Sequence, residues 1–145
     1  MNETITFHLA FPSHDFHKAK KFYTKGLGCK IGREASHAII FNLGENQIVA
    51  QKVKEKPPKQ KGIYPRHFGL IFPTRSAWLK LLQRVKKAKL KFFQNVKVRY
   101  PHTPLEHHTF FLEDPSYNLL EFKYYTHSSA IFGKKKINKV GEDKR

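Results

Sequence analysis

The sequence predicts an α+β chain made of two copies of one β-α-β-β-β unit. Three observations carry that prediction. A histidine in an apolar strand, a proline and an amphipathic helix follow one another twice, in "FHLAFPSHDFHKAKKFYTKGLG" and in "RHFGLIFPTRSAWLKLLQRV". Each helix precedes three short segments of strand character. A charged stretch with adjacent prolines, "KEKPPKQKG", separates the copies. In a chain of 145 residues neither half buries both its helix and its sheet alone, so the halves are expected to share a core.

The first segment, "TITFHLAF", alternates, with Ile5, Phe7, Leu9 and Phe11 on one face and Thr6, His8 and Ala10 on the other. It predicts a strand with His8 on the less apolar side, ended by Pro12 and Ser13. From Asp15 onward Phe16, Ala19, Phe22, Tyr23 and Leu27 follow helical spacing. Asp15 places a negative charge at the helix start, and Gly26 and Gly28 are stop signals. Strands "GCKIGR", "HAIIFNL" and "NQIVAQKV" follow, the last two joined by the turn-forming "GEN".

In the second copy "YPRHFGLIF" is a strand and "PTRSAWLKLLQRVKKAK" a helix. Trp78, Leu81, Leu82 and Val85 share one face of that helix, and Thr74 or Ser76 caps it. Strands "KFFQNVKV", "HHTFFLED" and "YNLLEFKYY" complete the unit, with "RYPHTP" as a long loop. The boundaries are module one over 4–54, a linker over 55–63 and module two over 64–126, in one domain of residues 1–133. A basic tail over 134–145 is expected to be disordered.

Hydrophobic residues make up 39% of the chain and aromatic ones 14%, enough for a packed core. No run approaches the roughly 18 apolar residues of a membrane span. The start, "MNETITFHLAF", lacks the basic-then-apolar pattern of a secretion signal. Cys29 stands alone, which excludes an internal disulfide and fits a reducing compartment, so a cytoplasmic location is expected.

The formal net charge of +17 would suit nucleic-acid phosphates. Its distribution argues otherwise. The tail "KKKINKVGEDKR" holds six basic and two acidic residues, a net +4, and the remaining +13 is scattered as "KAKK", "KVKEK", "KKAKLK" and "KVR". No arginine-rich helix or aromatic-basic stacking platform stands out. Lysines on solvated faces are the plainer account, and nucleic acid is not expected as a partner.

His8 and His67 lie on the first strands of the two copies, and Glu121 lies on the last strand of the second. Sheets curved around a shared cavity would point all three inward. Two imidazoles and a carboxylate suit Fe(II) and leave positions open for substrate and oxygen; Mn(II) and Zn(II) also accept such ligands. Taken singly, each residue has a plainer reading as a hydrogen-bonded or solvent-facing strand residue. Their matching positions in a duplicated unit favour a joint one.

The segment "FHLAFPSHDFHKAKKFYTKGLGCKIGR" resembles the opening of the vicinal oxygen chelate superfamily, which includes glyoxalase I, fosfomycin and bleomycin resistance proteins and extradiol dioxygenases. The features shared are His8, the "KAKKFYTKGLG" stretch and Gly32-Arg33. "EDPSYNLLEF" resembles that superfamily's closing motif, and the likeness spans about residues 5 to 125. It implies paired βαβββ modules whose curved mixed sheets enclose a divalent metal, with His8, His67 and Glu121 on the ligand positions. Tyr117 departs from the pattern, because the closing turn usually carries glycine there. The glyoxalase branch adds a fourth ligand on the last strand of module one. Gln51, on the same face as Gln47, is the candidate, but amides are weaker ligands and the three-ligand set is preferred.

The expected function is therefore a metal-dependent enzyme whose small-molecule substrate chelates the metal through two adjacent oxygens. Dioxygenase-like action with Fe(II) is preferred. A glyoxalase-like isomerase or lyase using Zn(II) or Ni(II) is the alternative, and a non-catalytic drug-binding module a third. Of His107 and His108 one must face inward; His108 and Tyr125 are the candidate proton shuttles. Arg66, Arg99 and Lys123 would form a positive rim for an anionic substrate. The modules pair either within one chain or across a homodimer, where His8 would meet His67 and Glu121 of the partner.

Overall fold

The structure, a computed structural model, describes residues 3–142. Residues 1–2 of the expected domain and 143–145 of the expected tail lie outside the described residues. Module one contains β1 (His8–Ser13), α1 (Phe16–Lys20) widening into a π-helical turn over Lys21–Gly26, β2 (Lys30–Glu34), β3 (Ala38–Leu43) and β4 (Asn46–Lys52). Module two repeats the order with β5 (Phe68–Ile71), α2 (Arg75–Lys87), β6 (Phe92–Arg99), β7 (His107–Glu113) and β8 (Leu119–Tyr125). Each module forms a four-stranded mixed sheet, ordered β1-β4-β3-β2 and β5-β8-β7-β6. In both, the first strand runs parallel to the last and the other pairs are antiparallel. The predicted duplication is thus repeated strand for strand.

Local chemistry explains the helices. Asp15 Oδ1 accepts from the Lys18 amide at 3.0 Å, and Thr74 Oγ1 accepts from the Ala77 amide at 3.1 Å, so each side chain satisfies an otherwise orphaned N–H. The apolar stripe of α2 buries Trp78, Leu82 and Val85. Trp78 Nε1 also donates to the Phe122 carbonyl at 2.8 Å, fixing α2 against β8. Phe11, Tyr23, Phe41, Trp78, Phe110 and Phe122 belong to one core that spans both modules. Burying each such ring stabilises the fold by about 1.5–3 kcal/mol relative to exposure. At the seam between β1 and β5, the Phe11 and Phe68 ring centroids are 5.6 Å apart.

The closing motif "EDPSYN" works as a clasp between the modules. The buried Asp114 carboxylate accepts from the amides of Ser116 and Asn118, each at 2.8 Å, and from the Tyr23 hydroxyl at 2.7 Å. Asn118 Nδ2 donates to the Pro12 carbonyl at 2.8 Å, and the His14 amide donates to Ser116 Oγ at 3.0 Å. Tyr117 holds φ +67°, so the turn keeps its left-handed residue although glycine is replaced. That conformation costs a non-glycine residue about 1–2 kcal/mol. Lys56 lies 3.9 Å from the Tyr117 ring centroid, a cation–π contact that offsets part of the strain and ties down the linker.

Three segments differ from expectation. β1 begins at His8 and continues through Pro12 and Ser13, because an edge strand has one side where proline's missing N–H loses no ladder bond. Ile5 and Phe7, expected on the buried face with Leu9 and Phe11, are instead 59% and 61% exposed. Strand pairing reaches them only through the Gln47 amide, which donates to the Phe7 carbonyl at 2.9 Å. The tail, expected to be disordered from residue 134, turns back so that Gly141 and Glu142 rest on the β6 side of module two. Among the described residues no helix is long and apolar enough to cross a membrane.

Candidate metal centre

Strand register decides which side chains meet on the face of the second sheet turned away from α2. Across β7 and β8, Phe111 stands opposite Glu121, Thr109 opposite Lys123 and His107 opposite Tyr125. Across β6 and β7, Gln94 pairs with Phe111, Lys97 with Thr109 and Arg99 with His107. Opposed residues share a face, so the polar and charged members of these pairs line one surface.

β5 closes that surface. Gly69 stands opposite Glu121, and a Cβ there would be driven into the Glu121 backbone carbonyl, so only glycine permits this approach. The approach brings His67, just before β5, over the carboxylate, with Nε2 3.3 Å from Glu121 Oε1. His67 Nδ1 donates to the Ile63 carbonyl at 2.7 Å, which fixes the ring and leaves Nε2 for the carboxylate. The Phe111 ring meets His67 edge-on at 4.9 Å.

Glu121 is buried, and its two oxygens have different neighbours. Oε2 accepts from Thr109 Oγ1 at 2.6 Å and lies 3.6 Å from Arg99 Nη1. Oε1 faces His67 and lies 3.7 Å from Lys123 Nζ. Burial pushes the Glu121 carboxyl up, but the His67 hydrogen bond, Lys123, Thr109 and Arg99 outweigh it and hold the group at about 2. The same hydrogen bond raises the His67 imidazole above its ordinary value against the opposing effect of burial.

His8 occupies the corresponding face of the first sheet. It is exposed, and its Nδ1 donates to Gln47 Oε1 at 2.7 Å, leaving Nε2 open. Both strand histidines thus present the same nitrogen, oriented by a carbonyl-type oxygen on the other. The structure brings His67 and Glu121 together and leaves His8 apart: among the described residues no three His, Cys, Asp or Glu gather into a metal-holding group. Gln51 is exposed further along β4 and paired with Pro12 and Ala38, so Gln47 rather than Gln51 is the amide at His8.

The inward histidine is His107, which corrects the choice of His108. The His108 ring stacks on Tyr124 at 4.7 Å and meets Trp78 at 5.9 Å, on the helix side of the sheet. His107 instead lies against Tyr125, ring centroids 4.8 Å apart, so Tyr125 takes the face its parity with Glu121 predicted. His107 Nδ1 donates to the Leu105 carbonyl at 2.9 Å, while Nε2 is buried without a partner. Burial lowers the His107 imidazole below its ordinary value, which keeps that nitrogen a free acceptor at neutral pH. Arg99 is buried beneath the face rather than on a rim. Arg66 is exposed and, with His67, lines a cleft of about 380 Å³ between the modules.

A 3.3 Å separation suits two donors that each lie about 2.1 Å from a shared cation. The pair is thus compatible with a divalent metal, and among the described residues no third His, Cys, Asp or Glu joins it. Thr109, Gln94 and Lys97 were not singled out from the sequence. Period-two parity within "HHTFFLED" groups Thr109 with His107, but nothing in the segment says which face turns toward Glu121.

A family described as the Glyoxalase/Bleomycin resistance protein/Dioxygenase superfamily matches residues 6–122, and the chain belongs to it. A glyoxalase/bleomycin resistance protein/dioxygenase from Alicyclobacillus acidocaldarius is similar at 34% identity and TM-score 0.85, covering 91% of this chain and 100% of that one. The fosfomycin resistance protein FosX from Listeria monocytogenes is 12% identical with TM-score 0.67, covering 90% and 99%. Lactoylglutathione lyase from Agrobacterium tumefaciens is 14% identical with TM-score 0.65, covering 92% and 99%. The last two share the fold alone. A comparison with curated proteins finds no match.

The His67–Glu121 pair gives the metal-free chain a pH signature. The His67 contribution, from a raised imidazole, is fully present below an unfolded value of about 6.5 and is lost as pH rises through the folded one. The Glu121 contribution, from a lowered carboxyl, is present above about 4.3 and is lost as pH falls toward about 2. Melting temperatures of the native chain and His67→Gln, measured from pH 3 to 9, are expected to differ most between about pH 4.5 and 6.5. A difference that stays constant across the range contradicts the pairing.

Proposed function

We propose that the chain is a metal-dependent enzyme of the vicinal oxygen chelate type, acting on a small substrate that chelates through two adjacent oxygens. His67 and Glu121 supply two donors, and His8 of a second copy supplies the third. The observation that supports this reading most is the shared state of the two histidines: Nδ1 of each is tied at 2.7 Å to a carbonyl-type oxygen, which leaves Nε2 of His67 facing Glu121 and Nε2 of His8 open. Exposed Ile5 and Phe7, just before His8, offer apolar surface for contact with that second copy.

When bound, the cation would supply Lewis acidity and a template for the paired oxygens. The protein's own groups have separate tasks. Thr109 and Arg99 hold Glu121 Oε2, leaving Oε1 beside His67. Phe111 keeps water from one side of the His67 ring. His107 Nε2, unpartnered and kept neutral by burial, takes a proton from substrate, and Tyr125 beside it orients the ring. Dioxygenase-like action is the first reaction to test and glyoxalase-like isomerisation or lysis the second, because both need the same chelation and proton acceptor.

A non-catalytic small-molecule binding module is the competing reading, favoured by the lack of a three-donor group among the described residues. Elemental analysis of anaerobically purified protein beside His67→Ala separates them. Iron near one per chain, lost in the variant, supports the dioxygenase line, and nickel or zinc the isomerase line. Absence of metal from both samples overturns the enzyme reading.

A further inference from the structure

We propose that Gln94, Lys97 and Arg99 form a carboxylate-binding pocket beside Glu121, which takes the anionic group of the substrate and is closed at rest by Glu142 of the chain's own tail. The inference rests on the reading that His67 and Glu121 face substrate.

The pocket is built rather than incidental. Glu142 Oε1 accepts from Lys97 Nζ at 2.9 Å, from Arg99 Nη2 at 3.1 Å and from Gln94 Nε2 at 3.2 Å. Arg99 is 5% exposed, and its Nε has no partner. Its guanidinium spans two carboxylates, with Nη1 3.6 Å from Glu121 Oε2 and Nη2 on Glu142. A buried guanidinium needs counter-charge, and Glu121 supplies only part of it. Whatever anion replaces Glu142 is therefore held one guanidinium width from the Glu121 carboxylate.

The tail is shaped for this berth. The Glu142 amide donates to the Tyr64 hydroxyl at 2.8 Å, and the Tyr100 hydroxyl donates to the Gly141 carbonyl at 2.7 Å. Gly141 has φ +67°, and a Cβ there would collide with the Tyr64 hydroxyl. Position 141 thus needs glycine for both backbone conformation and space. Tyr64 lies three residues before His67, and its ring is 6.0 Å from the imidazole, so the tail seats against the same segment that positions the candidate ligand. The second sheet carries no comparable acidic group on β6, so Glu142 is the carboxylate an incoming anion must displace.

An internal competitor weakens apparent affinity by the fraction of time it leaves the pocket open, about tenfold for a tail closed nine-tenths of the time. The test titrates benzoate, as a simple carboxylate probe, into the full-length native chain, Glu142→Gln and Gly141→Ala by calorimetry. Both variants are expected to bind benzoate about tenfold more tightly than the native chain. Adding Lys97→Ala to Glu142→Gln, a change at a half-exposed side chain, is expected to remove that gain. Hydrogen exchange at the residue-142 amide should quicken in both tail variants. Equal benzoate affinity in native and Glu142→Gln chains, or a gain that survives Lys97→Ala, overturns the proposal. Manganese uptake on the same samples keeps the two readings apart. A tail effect without metal binding overturns the metal reading alone, and metal binding without a tail effect overturns the pocket alone.

Discussion

Glu121→Gln is expected to lower divalent-metal affinity by about 100-fold or more, because it removes an anionic donor while keeping the side chain's size. The same change leaves Arg99 and Lys123 facing a neutral amide. Arg99 is buried, and breaking a buried ion pair from one side costs about 3 kcal/mol or more. The Glu142 carboxylate, also on Arg99, softens that loss. Metal titration by calorimetry and a thermal melt of the metal-free protein read the two effects separately. Unchanged metal affinity with a lowered melting temperature would make Glu121 a packing carboxylate only.

Gly69→Ala is expected to have the largest effect on stability. The added methyl meets the backbone of Glu121 rather than a flexible side chain, so β5 must move away from β8. Overpacking that backbone cannot absorb costs about 3 kcal/mol or more. In a domain of this size that corresponds to a fall of roughly 6–12 °C in melting temperature. Moving β5 also carries His67 off Glu121, so metal retention should fall with stability. Gly62→Ala is the control, since nothing lies within 4 Å of a Cβ at that position. Equal melting temperatures for the two variants would contradict the close approach.

Much of the architecture was legible because it is local. Apolar alternation around Leu9 and Phe11 marked β1, helical spacing from Trp78 to Val85 marked α2, and Asp15 and the pair Thr74 or Ser76 announced the helix starts, of which Thr74 is the cap. The likeness of the two halves then supplied the topology. What escaped was set by pairing between distant segments. His107 and His108 are neighbours with opposite directions, and only the register against Tyr124 and Tyr125 decides which turns toward Glu121. Ile5 and Phe7 carry a strand's alternation, yet β4 offers them almost no partner. Gly69 reads as a weak point in a strand until its distance from Glu121 is known. The return of the tail depends on Gly141 and Glu142 meeting Tyr64, Tyr100 and β6, partners far away in sequence, whereas composition alone assigns the basic stretch to solvent.

The candidate site was legible as residue types and not as a place. The sequence reading had His8, His67 and Glu121 meet; His67 lies beside Glu121, whereas His8 lies on the other sheet with Gln47. The proposed remedy is a second copy, and it has a direct test. His8→Ala and His67→Ala chains are purified separately, confirmed to be folded and metal-free, then mixed under conditions that exchange subunits. Random pairing restores one complete site in half of the dimers, so the mixture should regain about a quarter of native metal binding. A mixture of folded, dimeric variants that stays metal-free would contradict a site shared between two chains.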